Sequence, residues 1–354
     1  MGICISIASS EIHGAPKEVY DECVITFEAN KVVSGNQEFC SAYSKQGTKG
    51  LNQDAASIYQ GYGMEDGIFC GVFDGHGRTG RMVSNMVNRN LSSLILAQKN
   101  AFERINNIEN GDSNTLNDHV DTVKGDNHKD PKNFQIWKEA VTSAFKLMDK
   151  EIKLQENLDC SCSGTTAIVV IKQGEGLIIA NLGDSRAVLG TICDEELMVI
   201  QLTTDLKPGL PSEAERIRRC NGCVYALKEE PHIQRVWIPN YENSPGLAMS
   251  RSFGDFLLKE HGVIAIPDVS YYPLTSSDQF LVLASDGVWD VLSNIEVAAI
   301  VWTTKSEEEA AKKVVEAANA AWRRKYPFSK IDDCTVVCLF LKNENKRNSG
   351  MWKV

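Results

Sequence analysis

The sequence predicts an α+β fold whose sheets are antiparallel. Three observations lead there. Short apolar, β-branched runs recur along the chain, and such runs form buried strands. Neighbouring runs are joined by glycine-containing turns, which suit antiparallel pairs. The helical stripes come in blocks instead of alternating with every strand, which argues against a doubly wound α/β sheet.

Taken in order, residues 1–35 read as a weakly structured leader without a secretory pattern. Ile68-Phe-Cys-Gly-Val-Phe73 is a short strand that stops at Asp74. Residues 81–98 carry Met82, Met86, Leu91, Leu94 and Ile95 near helical spacing. About 106–132 is rich in Asn, Asp, Gly and His and lacks apolar periodicity, so a solvent-exposed loop insert is expected. A second stripe follows at Ile136, Ala140, Ala144, Leu147 and Met148. Residues 167–171 and 177–180 are strands separated by Gly174 and Gly176, a hairpin. Ser212 with Glu215, Ser293 with Glu296, and Ser306 with Glu309 have the spacing of capping boxes. Phe280-Leu-Val-Leu-Ala284 ends just before Asp286, and Thr335-Val-Val-Cys-Leu-Phe-Leu341 begins just after Asp332 and Asp333. Residues 343–354 read as a polar tail, which leaves one folded domain at 36–342.

Bulk properties narrow the function classes. The chain has 354 residues, 43% of them hydrophobic, and a formal net charge of −10. No apolar run reaches the roughly 18 residues that span a membrane. So acidic a chain is a poor nucleic-acid binder, and none is expected as a partner. The 11 cysteines are scattered and several lie inside apolar runs. That suits buried thiols in a reducing compartment, the cytoplasm or nucleus. Cys220-Asn-Gly-Cys223 lacks the second pair that a zinc site needs, so two ordinary thiols are expected. The start, Met1-Gly2-Ile3-Cys4-Ile5-Ser6, fits a myristoylation pattern at Gly2, with Cys4 as a second acylation candidate. Two chains would give peripheral membrane anchoring where one binds only marginally.

The chemistry lies in the aspartates. Asp54, Asp74, Asp184, Asp286 and Asp332 each stand at or near the end of an apolar run, most beside glycine. One Asp-Gly pair is usually a turn. Five carboxylates at strand ends repel one another when the fold gathers them, unless cations neutralise them. Oxygen ligands of this kind suit Mg²⁺ or Mn²⁺.

These residues carry a resemblance. The segments are Lys49-Gly-Leu-Asn-Gln-Asp54, Phe73-Asp-Gly-His-Gly77, Ser163-Gly-Thr-Thr-Ala167, Asn181-Leu-Gly-Asp-Ser-Arg186, Ala248-Met-Ser-Arg-Ser-Phe-Gly-Asp255, Ala284-Ser-Asp-Gly-Val-Trp-Asp290 and Asp332-Asp-Cys-Thr335. In this order they resemble the type 2C family of metal-dependent protein serine/threonine phosphatases, and its plant members in detail, over roughly residues 38–342. The resemblance implies a four-layer αββα sandwich, two antiparallel sheets flanked by helices, with a site at one end. It implies that Asp74 bridges two Mg²⁺ or Mn²⁺ ions, that the Gly75 carbonyl binds one, and that Asp286 and Asp332 complete the other's protein ligands. Asp54 would hold water beside the ions. Asp184 and Asp290, with Asp286, match a weaker third metal position. His76 matches the general acid and Lys49 the phosphate-binding cation. Two departures stand out. Lys49 occupies a position where many members have arginine, and Gln53 replaces a glutamate common in animal relatives. The segment 205–249 would form a flap beside the site, with Arg218, Arg219, Arg235 and Trp237 as substrate contacts or plain surface residues. The expected partners are phosphorylated proteins, met by a monomer. A silent scaffold, a small-molecule phosphate esterase and a cation-binding structural protein are the competing readings. Intact Asp74, Asp286 and Asp332 oppose the first, and His76 with Lys49 opposes the last.

Overall fold

A computed structural model describes residues 3–4, 24–29, 39–109, 131–240 and 246–341. Two sheets face each other. The first runs β1 (Ile3–Cys4), β3 (Phe39–Lys45), β16 (Cys334–Phe340), β15 (Asp278–Ala284), β9 (Arg186–Cys193) and β10 (Glu196–Gln201), antiparallel throughout. The second runs β2 (Val24–Ala29), β4 (Asp54–Gln60), β5 (Ile68–His76), β7 (Ala167–Gln173), β8 (Gly176–Leu182) and β14 (Asp268–Pro273). The short β6 (Gly164–Thr165) and β13 (Phe253–Gly254) extend it from the end of β5.

Period-2 alternation explains why the strands read as unbroken apolar runs. On β7, Ala167, Val169 and Ile171 face the helices, while Ile168 and Val170 face the other sheet. On β15, Phe280, Val282 and Ala284 face helices and Leu281 and Leu283 face the other sheet. Both faces are buried, so both must be apolar. The outer layer on the second sheet is α1 (Gly80–Glu109) and α2 (Pro131–Lys153). On the first it is α5 (Asp286–Trp289), α6 (Asn294–Thr303) and α7 (Ala310–Lys325), the last preceded by a 3₁₀ turn at Glu307–Glu309. The layers are those of the expected αββα sandwich.

Several local expectations are corrected. The buried stripe of α1 is Val83, Val87, Leu91 and Ile95, spaced by four, and Met82 is exposed. On α2 the buried set is Trp137, Ala140, Val141, Ala144, Phe145, Met148 and Ile152, so Ala140, Ala144 and Met148 lie on the buried face as expected, and Leu147 is exposed. Among the proposed capping boxes, only Ser293 with Glu296 forms. Ser212 lies inside α3 (Pro211–Arg219), which starts on a proline, and Ser306 makes no cap hydrogen bond. Helix α1 runs to Glu109 and α2 begins at Pro131, so both ends of the expected insert are helical, and 110–130 lie outside the described residues. Strands β1 and β2 fall inside the expected leader. The second sheet is not wholly antiparallel, because β2 pairs parallel with β4. The intervening β3 lies in the other sheet, so the chain re-enters the second sheet in the direction it left.

Beside the sandwich, α3, β11 (Cys223–Ala226) and β12 (Gln234–Trp237) form the expected flap around a small core of Ile217, Val236, Leu247, Met249, Leu258 and Val263. Leu258 comes from α4 (Phe256–Lys259). Gly2 and residues 343–354 lie outside the described residues, whereas Cys4 pairs with Tyr43 through the backbone.

Candidate metal and phosphate site

Strand register builds the site. Asp54 opens β4, and the antiparallel ladder sets it directly opposite Asp74 on β5. Gly75 and His76 follow on the same strand. An added Cβ at Gly75 would stand 2.6 Å from the carbonyl oxygens of Gln53 and Gly80, so only glycine fits. The facing sheet delivers the other carboxylates from matching strand ends. Asp286 follows β15 as the first residue of α5, and Asp290 closes that helix. Asp332 and Asp333 immediately precede β16. Asp184 lies on the connection from β8 to β9, where the chain crosses between sheets.

The electrostatics are those of crowded acids. Burial, then Asp54, Asp286, Asp332 and Asp184, holds Asp74 well above the usual carboxylate range. Burial, then Asp333, does the same to Asp54, despite a 2.9 Å hydrogen bond donated by Ser285 Oγ. Asp286 is raised by burial first and by Asp290 next, which outweigh the lowering contributions of Asp74, Lys49 and Lys207. Asp184 is 3% exposed, and burial followed by Asp286 pushes it up to about 7. Its Oδ1 has no hydrogen-bond partner. Burial and Asp286 also raise Asp332.

Two lysines answer this charge. Lys49 Nζ donates to Asp332 Oδ2. Lys207 Nζ stands 3.8 Å from Asp184 Oδ2 and 4.0 Å from Asp290 Oδ1. Two lysines do not balance the acids. The all-oxygen donor set and the orphaned Asp184 oxygen fit hard divalent cations. Among the described residues no three His, Cys, Asp or Glu side chains form a ready-made cage. Ions such as Mg²⁺, which keep much of their water, do not need one.

His76 stands at the rim. Its Nε2 is 2.7 Å from Asp255 Oδ2, which also accepts a 2.5 Å bond from Ser252 Oγ. Burial alone would lower the His76 pKa, but Asp255 outweighs it, so the net shift is upward from 6.5. Asp255 engages Nε2, leaving Nδ1 without a protein partner.

The structure thus brings together Lys49, Asp54, Asp74, Gly75, His76, Asp184, Asp286, Asp290 and Asp332. Sequence reasoning missed three participants. Asp255 orients His76; it closes a quoted motif, which was the available signal. Asp333 accepts from the backbone N–H groups of Gly47 and Gln53 at 2.8 and 2.9 Å, pinning the loop that carries Lys49. The doubled Asp332-Asp333 hinted at a second role. Nothing local marked Lys207. On the flap, Arg219 pairs with Glu215, Arg235 with Glu230, and Trp237 stacks on Tyr225 at 5.0 Å, so these side chains have partners within the flap.

Several known proteins are similar to this chain. The family model described as protein phosphatase 2C matches residues 40–324. That span ends before Asp332, which the structure nevertheless places among the other carboxylates. The probable protein phosphatase 2C 72 of Arabidopsis thaliana is 49% identical over 353 residues, covering 98% of this chain and 99% of its own. The probable protein phosphatase 2C 12 of Oryza sativa subsp. japonica is 47% identical, covering 96% and 92%. Among solved structures, the serine-threonine phosphatase 2C from Toxoplasma gondii superposes with a TM-score of 0.72 at 25% identity, over 87% of this chain and 96% of that one.

Proposed function

The chain belongs to the protein phosphatase 2C family and is a metal-dependent protein serine/threonine phosphatase, and from that premise we propose how its own residues carry the reaction. Asp74, Asp286 and Asp332, with the Gly75 carbonyl, would hold two Mg²⁺ or Mn²⁺ ions, Asp54 would hold water beside them, and Asp184 and Asp290 would serve a weaker third position. When bound, such ions lower the pKa of water and stabilise charge on phosphoryl oxygens.

The observation that carries this reading is the buried carboxylate cluster, whose members are driven toward protonation by burial and by one another. External cations remove that conflict. Lys49 supplies a positive charge at the rim, free to leave Asp332 for a substrate phosphate; it acts as a point charge without the fork of an arginine. His76, held at Nε2 by Asp255, keeps a proton for the leaving serine or threonine oxygen. Its raised pKa keeps that proton available near neutral pH.

In this reading a water attacks directly, and the two buried thiols near the site do not offer a cysteine nucleophile in its place. Burial lifts Cys334 well above 9 and Cys160 to about 11, so neither is a competent nucleophile. Substrates are phosphorylated proteins, met by a monomer in the cytoplasm or nucleus. Acylation of Gly2 and Cys4, supported by the N-terminal pattern, would add a membrane-bound pool; intact mass of the protein from a eukaryotic host reads it directly. The test of the activity is phosphate release from a phosphothreonine peptide with Mn²⁺ or Mg²⁺ against excess EDTA, with Asp74→Ala alongside. Metal-dependent turnover that Asp74→Ala abolishes is expected. A folded, metal-replete sample without turnover would overturn the reading in favour of a silent scaffold.

A further inference from the structure

We propose that Lys207 is a built-in cation that occupies the Asp184–Asp290 corner of the site and competes with a divalent ion there. The inference rests on the metal-centre reading above and concerns only its weakest position.

The backbone around Lys207 is fixed. Leu206 N–H donates to the Gly183 carbonyl at 2.9 Å, which ties the chain to the residue before Asp184. Ser250 N–H donates to the Leu206 carbonyl at 2.8 Å, and Leu210 N–H to the Lys207 carbonyl at 3.1 Å. The adjacent Asp205 is gripped by Arg186 through two bonds of 2.9 and 2.6 Å. The root of the flap is therefore anchored where Lys207 leaves it.

The side chain is not anchored in this way. It is 45% exposed, and its ammonium lies between two carboxylates at 3.8 and 4.0 Å. Both separations exceed hydrogen-bond length. The ammonium is held by the local field of Asp184, Asp290 and Asp286, and four torsions let it swing to water. Asp184 remains underserved. It is almost wholly buried, it points Oδ1 at no donor, and its other oxygen has only the distant ammonium. A single charge at that range compensates such a group incompletely; a directly bound divalent ion compensates it fully.

Two states follow. With the ammonium in, the corner carries a protein cation and two ions bind elsewhere. With the ammonium out, the corner opens to a third divalent ion. Lys207 also sits at the start of the flap, so the exchange couples ion number to a segment with its own small core.

The test is Mn²⁺ binding to the full chain, read as free Mn²⁺ by electron paramagnetic resonance, without substrate. Wild type, Lys207→Met, Lys207→Arg and Lys207→Met with Asp184→Asn are compared, with far-ultraviolet circular dichroism as the folding control. Lys207→Met should tighten the weakest Mn²⁺ by about threefold, the scale of a partly exposed charge pair. The two tighter ions should be unchanged, Lys207→Arg should stay near wild type, and Asp184→Asn should cancel the gain. An isotherm unchanged in folded Lys207→Met, or a weakest ion that binds less tightly, would overturn the proposal. A wild-type chain that binds no Mn²⁺ would overturn the metal centre itself, and this inference with it. That outcome is distinct from failure of the Lys207 variant alone.

Discussion

Glu213 on the flap helix and the aspartates around Asp74 are both buried carboxylates, and they are compensated in opposite ways. Glu213 is only 2% exposed, yet Arg216 and Arg251 each grip it through paired bonds, and Ser250 adds another. Although burial pushes its pKa up, these donors bring it down to about 2. Around Asp74, seven aspartates (54, 74, 184, 286, 290, 332 and 333) have Lys49 and Lys207 for cations, and their pKa values go up. The first cluster is complete in the folded chain and ties the flap to the 248–255 segment. The second is completed from outside. Burial alone does not tell a structural acid from a functional one; what the protein supplies opposite the acid does.

The strongest way to break this comparison is to change one carboxylate in each cluster. Asp74→Asn should cost on the order of 10³-fold in turnover, since it removes a charge aimed at the reacting centre. The same change should raise the stability of the metal-free protein by about 1 kcal/mol, because it removes a repulsion. Chemical denaturation in EDTA measures it, and a destabilised variant would mean the acids are already at ease. Glu213→Leu should cost about 3 kcal/mol, because it strands two partly buried arginines. A loss near zero there would show that the flap cluster is solvated after all.

The pH response sharpens the contrast. Asp184 has a folded pKa of about 7, raised from 3.8. Between those values the folded state holds a proton that the unfolded state has lost, so metal-free stability falls as pH rises from about 4 to 7. Glu213 has the opposite sign: its contribution is present above about 4.5 and is lost as pH falls through about 2. Thermal melts in EDTA should therefore decline from pH 5 to 8. Saturating Mg²⁺ should remove that decline, and parallel curves would contradict the carboxylate account.

Smaller effects concern the rim. Asp255→Asn should lower the His76 pKa and move the alkaline limb of the rate profile down by about one pH unit, a shift worth about 1.4 kcal/mol. Unmoved limbs with a lower overall rate would assign Asp255 to structure alone. Lys49→Arg should change KM for a phosphopeptide by roughly threefold or less, in the direction of tighter binding.

The outcome on the sequence side follows the same physics. Strands β5, β7, β8, β15 and β16 were legible because burial on both faces leaves an unbroken apolar run. The site acids were legible because carboxylates at the ends of such runs have no packing reason to be there. Helix faces were less so. Met82 and Val83 are both apolar, and only contact with the sheet decides that Val83 turns inward. The parallel pairing of β2 depends on a detour through the other sheet, which leaves no local mark. The His76–Asp255 contact spans 179 positions, beyond any periodicity.

The acids come from both layers of the sandwich. Asp54 and Asp74 belong to one sheet, Asp286 and Asp332 adjoin strands of the other, and Asp184 stands where the chain passes between them. A half-assembled chain with one sheet in place has half a binding site and gains little from divalent ions. Their full contribution requires that the two sheets have met, so it is realised in the native state. Divalent ions should then slow the opening of this molecule while leaving its rate of closing nearly unchanged.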